Sequence, residues 1–488
     1  MRSNQRHPFI VLTLISLSAL LAFYGVNAQK KSEQDASQKE TQKPAQKPNS
    51  QPAQQGEDEP VAVTPRIFAE KSSEGRAAPK SDEFGNFRPP IINNKGEVAF
   101  VSWFGAPTPN QSFGQSIFVR AADGNWRVTL QGEKAANLPK AVNSFGSQYS
   151  FNDNGDLTFI GAFDDQSQKP APAVPTDSND PLAAPARPMN KSIYLKSSSG
   201  LKSLLKLGED VPAMPSHFSG FSNVSTNIQG VTAFIGMYSD PDGKGLFLIE
   251  GGKLRLVCRS GQPIGNGEEG TFSEHYYPTQ INKRNEVAFL ARIGDKSGIF
   301  ISRPKGVELL TITGKPSPIK DTNFIGFGNR TPAISDTGEV VFVGFYGGSA
   351  NHGRALFTKG DGPIKIVAQS GEQIEGSTSA FTDFEFPAIN SRGDVVFLGK
   401  FGGRNHGIFI KTAKGVEKIA AVDQPVPGGA PEETFNNFAQ QPSINDRGEV
   451  VFFAQTRNPK TGPGLAIFIR DEKGNLKTLV KRGEKMPK

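Results

Sequence analysis

Seven polar side chains occupy one position of a recurring phrase: Arg88, Ser147, Ser222, Tyr277, Arg330, Glu385 and Gln440. Each stands five residues before the residue, usually Asn, that opens a turn. Their surroundings repeat from unit to unit, yet their own chemistry differs at almost every occurrence. That is what a ligand-facing position needs, whereas a purely structural position tends to repeat. Two arginines beside one carboxylate could grip an anionic or polyhydroxylated ligand through forked guanidinium hydrogen bonds. His275 and Asp383, two residues earlier in their units, would join the set at one mouth of a shared channel. The expected ligand-binding residues are therefore Arg88, Tyr277, Arg330, Glu385, Gln440, His275 and Asp383. The plainer alternative is a water-filled channel with incidental polar lining.

Other chemistry is sparse. No nucleophile elbow, phosphate-binding loop, HExxH motif or Cys/His cluster occurs. "NHG" appears twice, at His352 and His406, in the same connection of adjacent units. Two imidazoles on one rim could hold a metal, but no carboxylate or thiol is spaced beside them, and a polar turn residue is the simpler reading. "DPDGKG" at 240–245 has two aspartates and lacks the remaining ligands of a calcium loop. No catalytic residue, cofactor or metal is expected. A glycosidase or lyase would need paired carboxylates or a His-centred set, and only Asp383 and Glu385 offer carboxylates near the proposed ring.

The element that must position these residues is the phrase itself: "INNKGEVAFV", "FNDNGDLTFI", "TNIQGVTAFI", "INKRNEVAFL", "ISDTGEVVFV", "INSRGDVVFL" and "INDRGEVVFF". Aligned on Gly96, Gly155, Gly230, Asn285, Gly338, Gly393 and Gly448, the units are 59, 75, 55, 53, 55 and 55 residues apart. Asn can form an Asx-turn, and Gly supplies positive φ, with Asn285 as the next most tolerant residue. Alternation follows, and a Phe stands four residues after the turn in every unit, from Phe100 to Phe452. Residues on the other face are apolar too, so this strand is buried on both sides. A second aromatic phrase ("SIFVR", "GIFIK", "AIFIR"), a fourth strand such as "LKTLVKRGE" and an aromatic first strand such as "AFTDFEFPAI" complete the unit. Four short strands in about 55 residues is the pattern of a propeller blade. The fold expected is all-β: a β-propeller of seven four-stranded blades, in which each apolar sheet face is hidden against its neighbour. Residues 66–79, "RIFAEKSSEGRAAP", resemble one surplus fourth strand that would close the ring or decorate an edge.

The units resemble a family of secreted bacterial proteins with tandem NxxGxxAF repeats and varied C-terminal anchors. The resemblance covers roughly residues 84–487, and "NNKGEVAF" and "NIQGVTAF" match the motif letter for letter. "NDNGDLTF" has Thr158 in the small position, "NKRNEVAF" lacks the Gly, "SDTGEVVF" lacks the Asn, and no anchor follows "RGEKMPK". The resemblance implies a propeller-like fold and export, and it implies no activity.

The rest of the chain sets the context. In residues 1–28, Arg2 and Arg6 precede an apolar run, and "VNA" stands before Gln29, which reads as a signal peptide; an uncleaved membrane anchor is the alternative. Residues 29–62 are rich in Gln, Lys and Pro and cannot bury enough surface to fold, so they read as a disordered tether. Residues 63–488 form the repeat domain, interrupted by a Pro/Ala-rich insertion at 164–190. Cys258 is the only cysteine, which excludes an intramolecular disulfide. A formal charge of +7, falling to +5 if Arg2 and Arg6 leave with a leader, argues against nucleic acid as a partner. The expected protein is a secreted or periplasmic, noncatalytic binding or scaffold propeller. Its partner would be an extracellular or periplasmic protein or glycan. It would touch a membrane only through an uncleaved N-terminal segment. The alternative is an extracellular polysaccharide-active enzyme with its site at the channel mouth.

Overall fold

Asn93 shows why the phrase repeats. Its side-chain oxygen accepts hydrogen bonds from the main-chain N–H of Lys95 (3.1 Å) and Glu97 (2.9 Å), while Gly96 N–H donates back to Asn93 O (3.0 Å). Gly96 has φ of 77° and its replacement Asn285 has φ of 60°, both in the left-handed region. This turn joins the first two strands of every sheet.

The computed structural model describes residues 83–104, 114–130, 144–163, 190–239, 242–265, 269–328, 332–403, 405–438 and 441–487. The expected signal peptide, the tether, residues 66–79 and residues 164–189 of the insertion lie outside them.

Blade one is β1 (Ile91–Ile92), β2 (Val98–Phe104), β3 (Gly114–Arg120) and β4 (Trp126–Leu130). Blade two is β5 (Ser144–Phe151), β6 (Leu157–Phe163), β7 (Asn190–Ser197) and β8 (Gly200–Lys206). Blade three follows as β9 (Phe218–Thr226), β10 (Thr232–Ser239), β11 (Asp242–Glu250) and β12 (Lys253–Arg259). Blade four is β13 (Phe272–Ile281), β14 (Val287–Ile293), β15 (Lys296–Arg303) and β16 (Gly306–Ile312). In blade five the first strand is broken into β17 (Asn323–Phe327) and β18 (Ala333–Ile334), before β19 (Val340–Gly347), β20 (His352–Lys359) and β21 (Lys365–Gln369). Blade six is β22 (Phe381–Ile389), β23 (Val395–Phe401), β24 (Asn405–Thr412) and β25 (Gly415–Ala421). Blade seven again splits its first strand, into β26 (Thr434–Asn437) and β27 (Ser443–Ile444), before β28 (Val450–Asn458), β29 (Gly462–Arg470) and β30 (Leu476–Lys481). Each is an antiparallel meander in chain order, so the described residues form a seven-bladed β-propeller.

The core lies between blades. Val341, Val343 and Leu356 of blade five meet Phe381, Phe384, Phe397 and Phe409 of blade six in one buried cluster. Within blade six, Phe397 stacks on Phe409 (5.8 Å, 16°), and Phe381 meets Phe409 edge-on (4.9 Å, 75°). Gly399 lies beneath that ring, and a Cβ there would come within 2.7 Å of Phe381 Cε1. The edge-on contact recurs between Phe84 and Phe118, Phe218 and Phe247, Phe324 and Phe357, and Phe435 and Phe468. The Phe expected four residues after each turn is fully buried in all seven units.

Two features close the ring. At the turns, the side-chain amide of Asn93 donates to Asn152 O (3.1 Å), Asn152 to Asn227 O (3.0 Å), Asn227 to Asn282 O (2.9 Å) and Asn282 to Ser335 O (3.0 Å). Asn390 donates to Asn445 O (3.0 Å), and Asn445 returns to Asn93 O (3.0 Å). Ser335, which has no amide, is the one break in this belt. At the opposite end, Phe84 N–H donates to Glu484 O (2.9 Å) and Gly483 N–H to Phe84 O (2.8 Å). The same exchange joins Gly208 and Glu209 to Phe218 between blades two and three. Among the described residues, blade seven therefore meets blade one through the same exchange that joins blade two to blade three.

Candidate functional site

First strands line the axis, and each breaks its register near the varied position. In β22 the break falls between Glu385 and Ala388, and Phe386 has φ of 52°. A left-handed aromatic residue costs of order 1–3 kcal/mol, a strain more common at ligand clamps than elsewhere.

The structure brings two of the expected residues together. Lys400, opposite Asp383 on β23, places Nζ 2.8 Å from Glu385 Oε1 and 3.2 Å from Asp383 Oδ2. Arg354 of blade five reaches across the junction, with Nη1 2.7 Å from Asp383 Oδ2 and its guanidinium carbon 4.8 Å from the centre of the Phe345 ring. The cations are the open members: Arg354 is 48 % and Lys400 38 % exposed, against 14 % for Asp383 and 23 % for Glu385. Burial alone would raise the Asp383 carboxyl. Hydrogen bonds from Arg354 and Phe384 N–H, with the charges of Arg354 and Lys400, outweigh it and hold the group below the usual carboxylate range. Burial would lower Lys400, and Glu385 and Asp383 overcome that to keep it firmly protonated.

Arg88 stands apart from that cluster. Its guanidinium carbon lies 4.8 Å from the centre of the Trp103 ring of its own blade, and its Nε is buried without a hydrogen-bond partner among the described residues. Burial lowers the pKa of this guanidinium, with the neighbouring Tyr149 opposing. Tyr149, buried and pushed well above an ordinary phenol, has its hydroxyl 2.5 Å from Pro89 O and 3.1 Å from Ala99 O. Ser222 is half-buried and pairs with Ile235 across the ladder. His275 and Tyr277 lie on β13, with Tyr277 opposite Leu290, and Ser147 lies on β5. The side chains of these three, and Arg330 and Gln440 altogether, lie outside the described residues.

His352 and His406 do not share a site. His352 is exposed at the start of β20, whereas His406 Nε2 lies 2.9 Å from Asn437 Oδ1 and 3.3 Å from Phe438 N, which ties blade six to blade seven. Among the described residues, no group of three His, Cys, Asp or Glu side chains is arranged to hold a metal. Asp240 of "DPDGKG" lies outside the described residues.

The sequence reading missed Arg354 and Lys400. A signal for Lys400 existed: seven residues after the turn the chain carries Trp103, Ala162, Met237, Arg292, Phe345, Lys400 and Gln455, a position as varied as the one in the first strand. The two positions form pairs, Arg88 with Trp103 and Glu385 with Lys400.

A family profile described as "Family of unknown function (DUF7453)" matches residues 69–406 and 398–488. No curated protein matches the chain. Among solved structures, the β-propeller domain of the Trilobed protease from Pyrococcus furiosus is similar at 9 % identity and a TM-score of 0.47, covering 82 % of this chain and 100 % of that one. An acylaminoacyl peptidase in complex with a chloromethyl ketone is similar at 8 % identity and a TM-score of 0.46, covering 82 % of this chain and 53 % of that one. The Pyrococcus horikoshii acylaminoacyl peptidase is similar at 9 % identity and a TM-score of 0.44, covering 83 % of this chain and 54 % of that one.

Proposed function

The chain belongs to the DUF7453 family of unknown function, and we propose that its seven-bladed ring is a noncatalytic binding module, exported from the cell, whose ligand sits at the inner mouth between blades five and six. One observation carries this reading. Where seven blades repeat the same turn and the same aromatic trio, the Arg354–Asp383–Lys400–Glu385 cluster is, among the described residues, individual to one junction, and its two cations are open to solvent. A glycosidase needs one carboxyl kept protonated near neutral pH. Asp383 is held the other way, ionised by two cations, which suits a fixed acceptor and not a proton donor. Export rests on residues 1–28 as a signal and 29–62 as a tether, and on the likeness to secreted NxxGxxAF repeat proteins.

The test is a binding screen of the full chain against glycans, peptidoglycan fragments and extracytoplasmic proteins, repeated with Asp383→Asn combined with Lys400→Met. The doubly substituted chain should lose the bound ligand while melting close to the parent. Retention of full affinity would place the binding face elsewhere. N-terminal sequencing of the exported protein should begin at Gln29.

A further inference from the structure

Ile325 is the residue that the bulge in β17 expels from the ladder, between Phe324 and Gly326. It is 60 % exposed, the most open large apolar side chain among the described residues. Directly after the first-strand Phe, five of the six other units carry Gly85, Ser219, Ser273, Thr382 and Asn436. An aliphatic residue at this exposed bulge is therefore peculiar to blade five among those units. Gly347 makes room for it, since a Cβ there would lie 3.2 Å from Ile325 Cδ1. Gly347 ends the strand that carries Phe345, and Arg354 pairs with Phe345 across the ladder. Ile325 and Arg354 thus lie against the same stretch of β19, Phe345 to Gly347, on the blade-five side of the mouth.

Among the described residues, the four ionised groups of that cluster cancel: two carboxylates against one ammonium and one guanidinium. An anion entering here would have to break an existing pair. A hydroxyl would not, because it donates to a carboxylate and accepts from an ammonium at once. Lys400 commits two of its three N–H donors to Asp383 and Glu385, and the Arg354 fork commits Nη1. Fixed donors and acceptors in alternation, beside an apolar ledge, match the hydroxyl edge and C–H face of a sugar ring. We propose that the mouth between blades five and six binds a neutral saccharide, with its C–H face on Ile325 and its hydroxyls on Asp383, Glu385 and Lys400. This rests on the binding role proposed above and narrows it to one ligand class.

The full chain is titrated calorimetrically with cellohexaose, laminarihexaose, chitohexaose and maltohexaose, and with polygalacturonate for contrast, at low and high salt. A neutral probe should bind with an affinity that salt barely changes. Ile325→Ser and Lys400→Met should each weaken it about tenfold or more, the scale of one lost buried contact or charged hydrogen bond. Ile325→Ser should melt like the parent, since the side chain is exposed, so that its loss of binding cannot be blamed on folding. Absence of any neutral-saccharide binding overturns the proposal, as does binding indifferent to Ile325→Ser. If polygalacturonate alone binds and these substitutions abolish it, the neutral class is wrong while the binding role stands. If a ligand is found and neither substitution affects it, both readings fall.

Discussion

The side-chain amide of Asn445, in the last blade, donates to the main-chain oxygen of Asn93, in the first, at 3.0 Å. Their side chains also do the same local work, each capping its own turn through Oδ1. One residue type therefore folds the turn with its oxygen and joins the blades with its nitrogen. Asn445→Ala should destabilise by about 1–3 kcal/mol, because it leaves the buried Asn93 oxygen and the turn N–H groups short of partners. Ser335→Asn should do the reverse and complete the belt toward Asn390 O, gaining about 0.5–1.5 kcal/mol. Chemical denaturation of both variants checks this, and a destabilised Ser335→Asn chain would show that the belt is not limited by its missing amide.

Truncation of the buried rings tests the packing between blades. Phe342→Ala and Phe397→Ala should each lose roughly 3–5 kcal/mol, the range for a buried Phe. Both are essentially inaccessible and occupy equivalent places in adjacent clusters. Equal shifts in urea midpoint are expected, and parent-like stability in either would contradict the core described.

Glu286 sets a pH dependence. Burial would raise its carboxyl, but hydrogen bonds from Arg284 and Asn282 and the charges of Arg303 and Arg284 hold it below its ordinary value of 4.5. A depressed folded value means stability that is present above about pH 4.5 and lost as pH falls through the folded pKa. Glu286→Gln should be less stable than the parent at pH 7 and should lose less on acidification. Melting curves from pH 7 down to pH 3 would show the two chains converging; parallel curves would remove Glu286 from the account.

Cys258 should be silent to thiol reagents in the native protein. It is fully buried, and desolvation pushes its thiol up to about 12, against one main-chain hydrogen bond that opposes the rise. The thiolate is the reactive species, so modification should follow unfolding and should accelerate by orders of magnitude in denaturant. Fast labelling under native conditions would mean that β12 opens independently of the ring.

The architecture was legible because its determinants are local and repeated. Gly96 needs positive φ whatever lies around it, and Phe100 and its equivalents announce a doubly buried strand. The belt was not legible, since nothing in "INNKGEVAF" says where the second half of the Asn93 amide goes. That requires knowing which oxygen of the next blade lies above it. The site was half legible for a similar reason. Asp383 and Glu385 stood out as polar residues in an aromatic strand, whereas Arg354 belongs to another blade and meets Asp383 only after two sheets dock. Bulges add to the difficulty: Phe381 and Glu385 are four residues apart, while Phe272 and Tyr277 are five, so fixed spacing does not carry one blade's geometry to the next.

Among the described residues, the seam between blades seven and one carries the same main-chain exchange as the junctions from blade two through blade seven, so the ring does not depend on which junction the chain leaves open. Joining residue 487 back to residue 83 and cutting within the connection from β12 to β13 would yield the same ring from a differently ordered chain. A propeller latched by a borrowed strand could not be rewritten this way, since its latch is bound to one address. Here the permuted chains amount to an internal ruler. Any difference in their stability measures what the covalent connection adds at a given junction, over contacts that are already nearly equivalent.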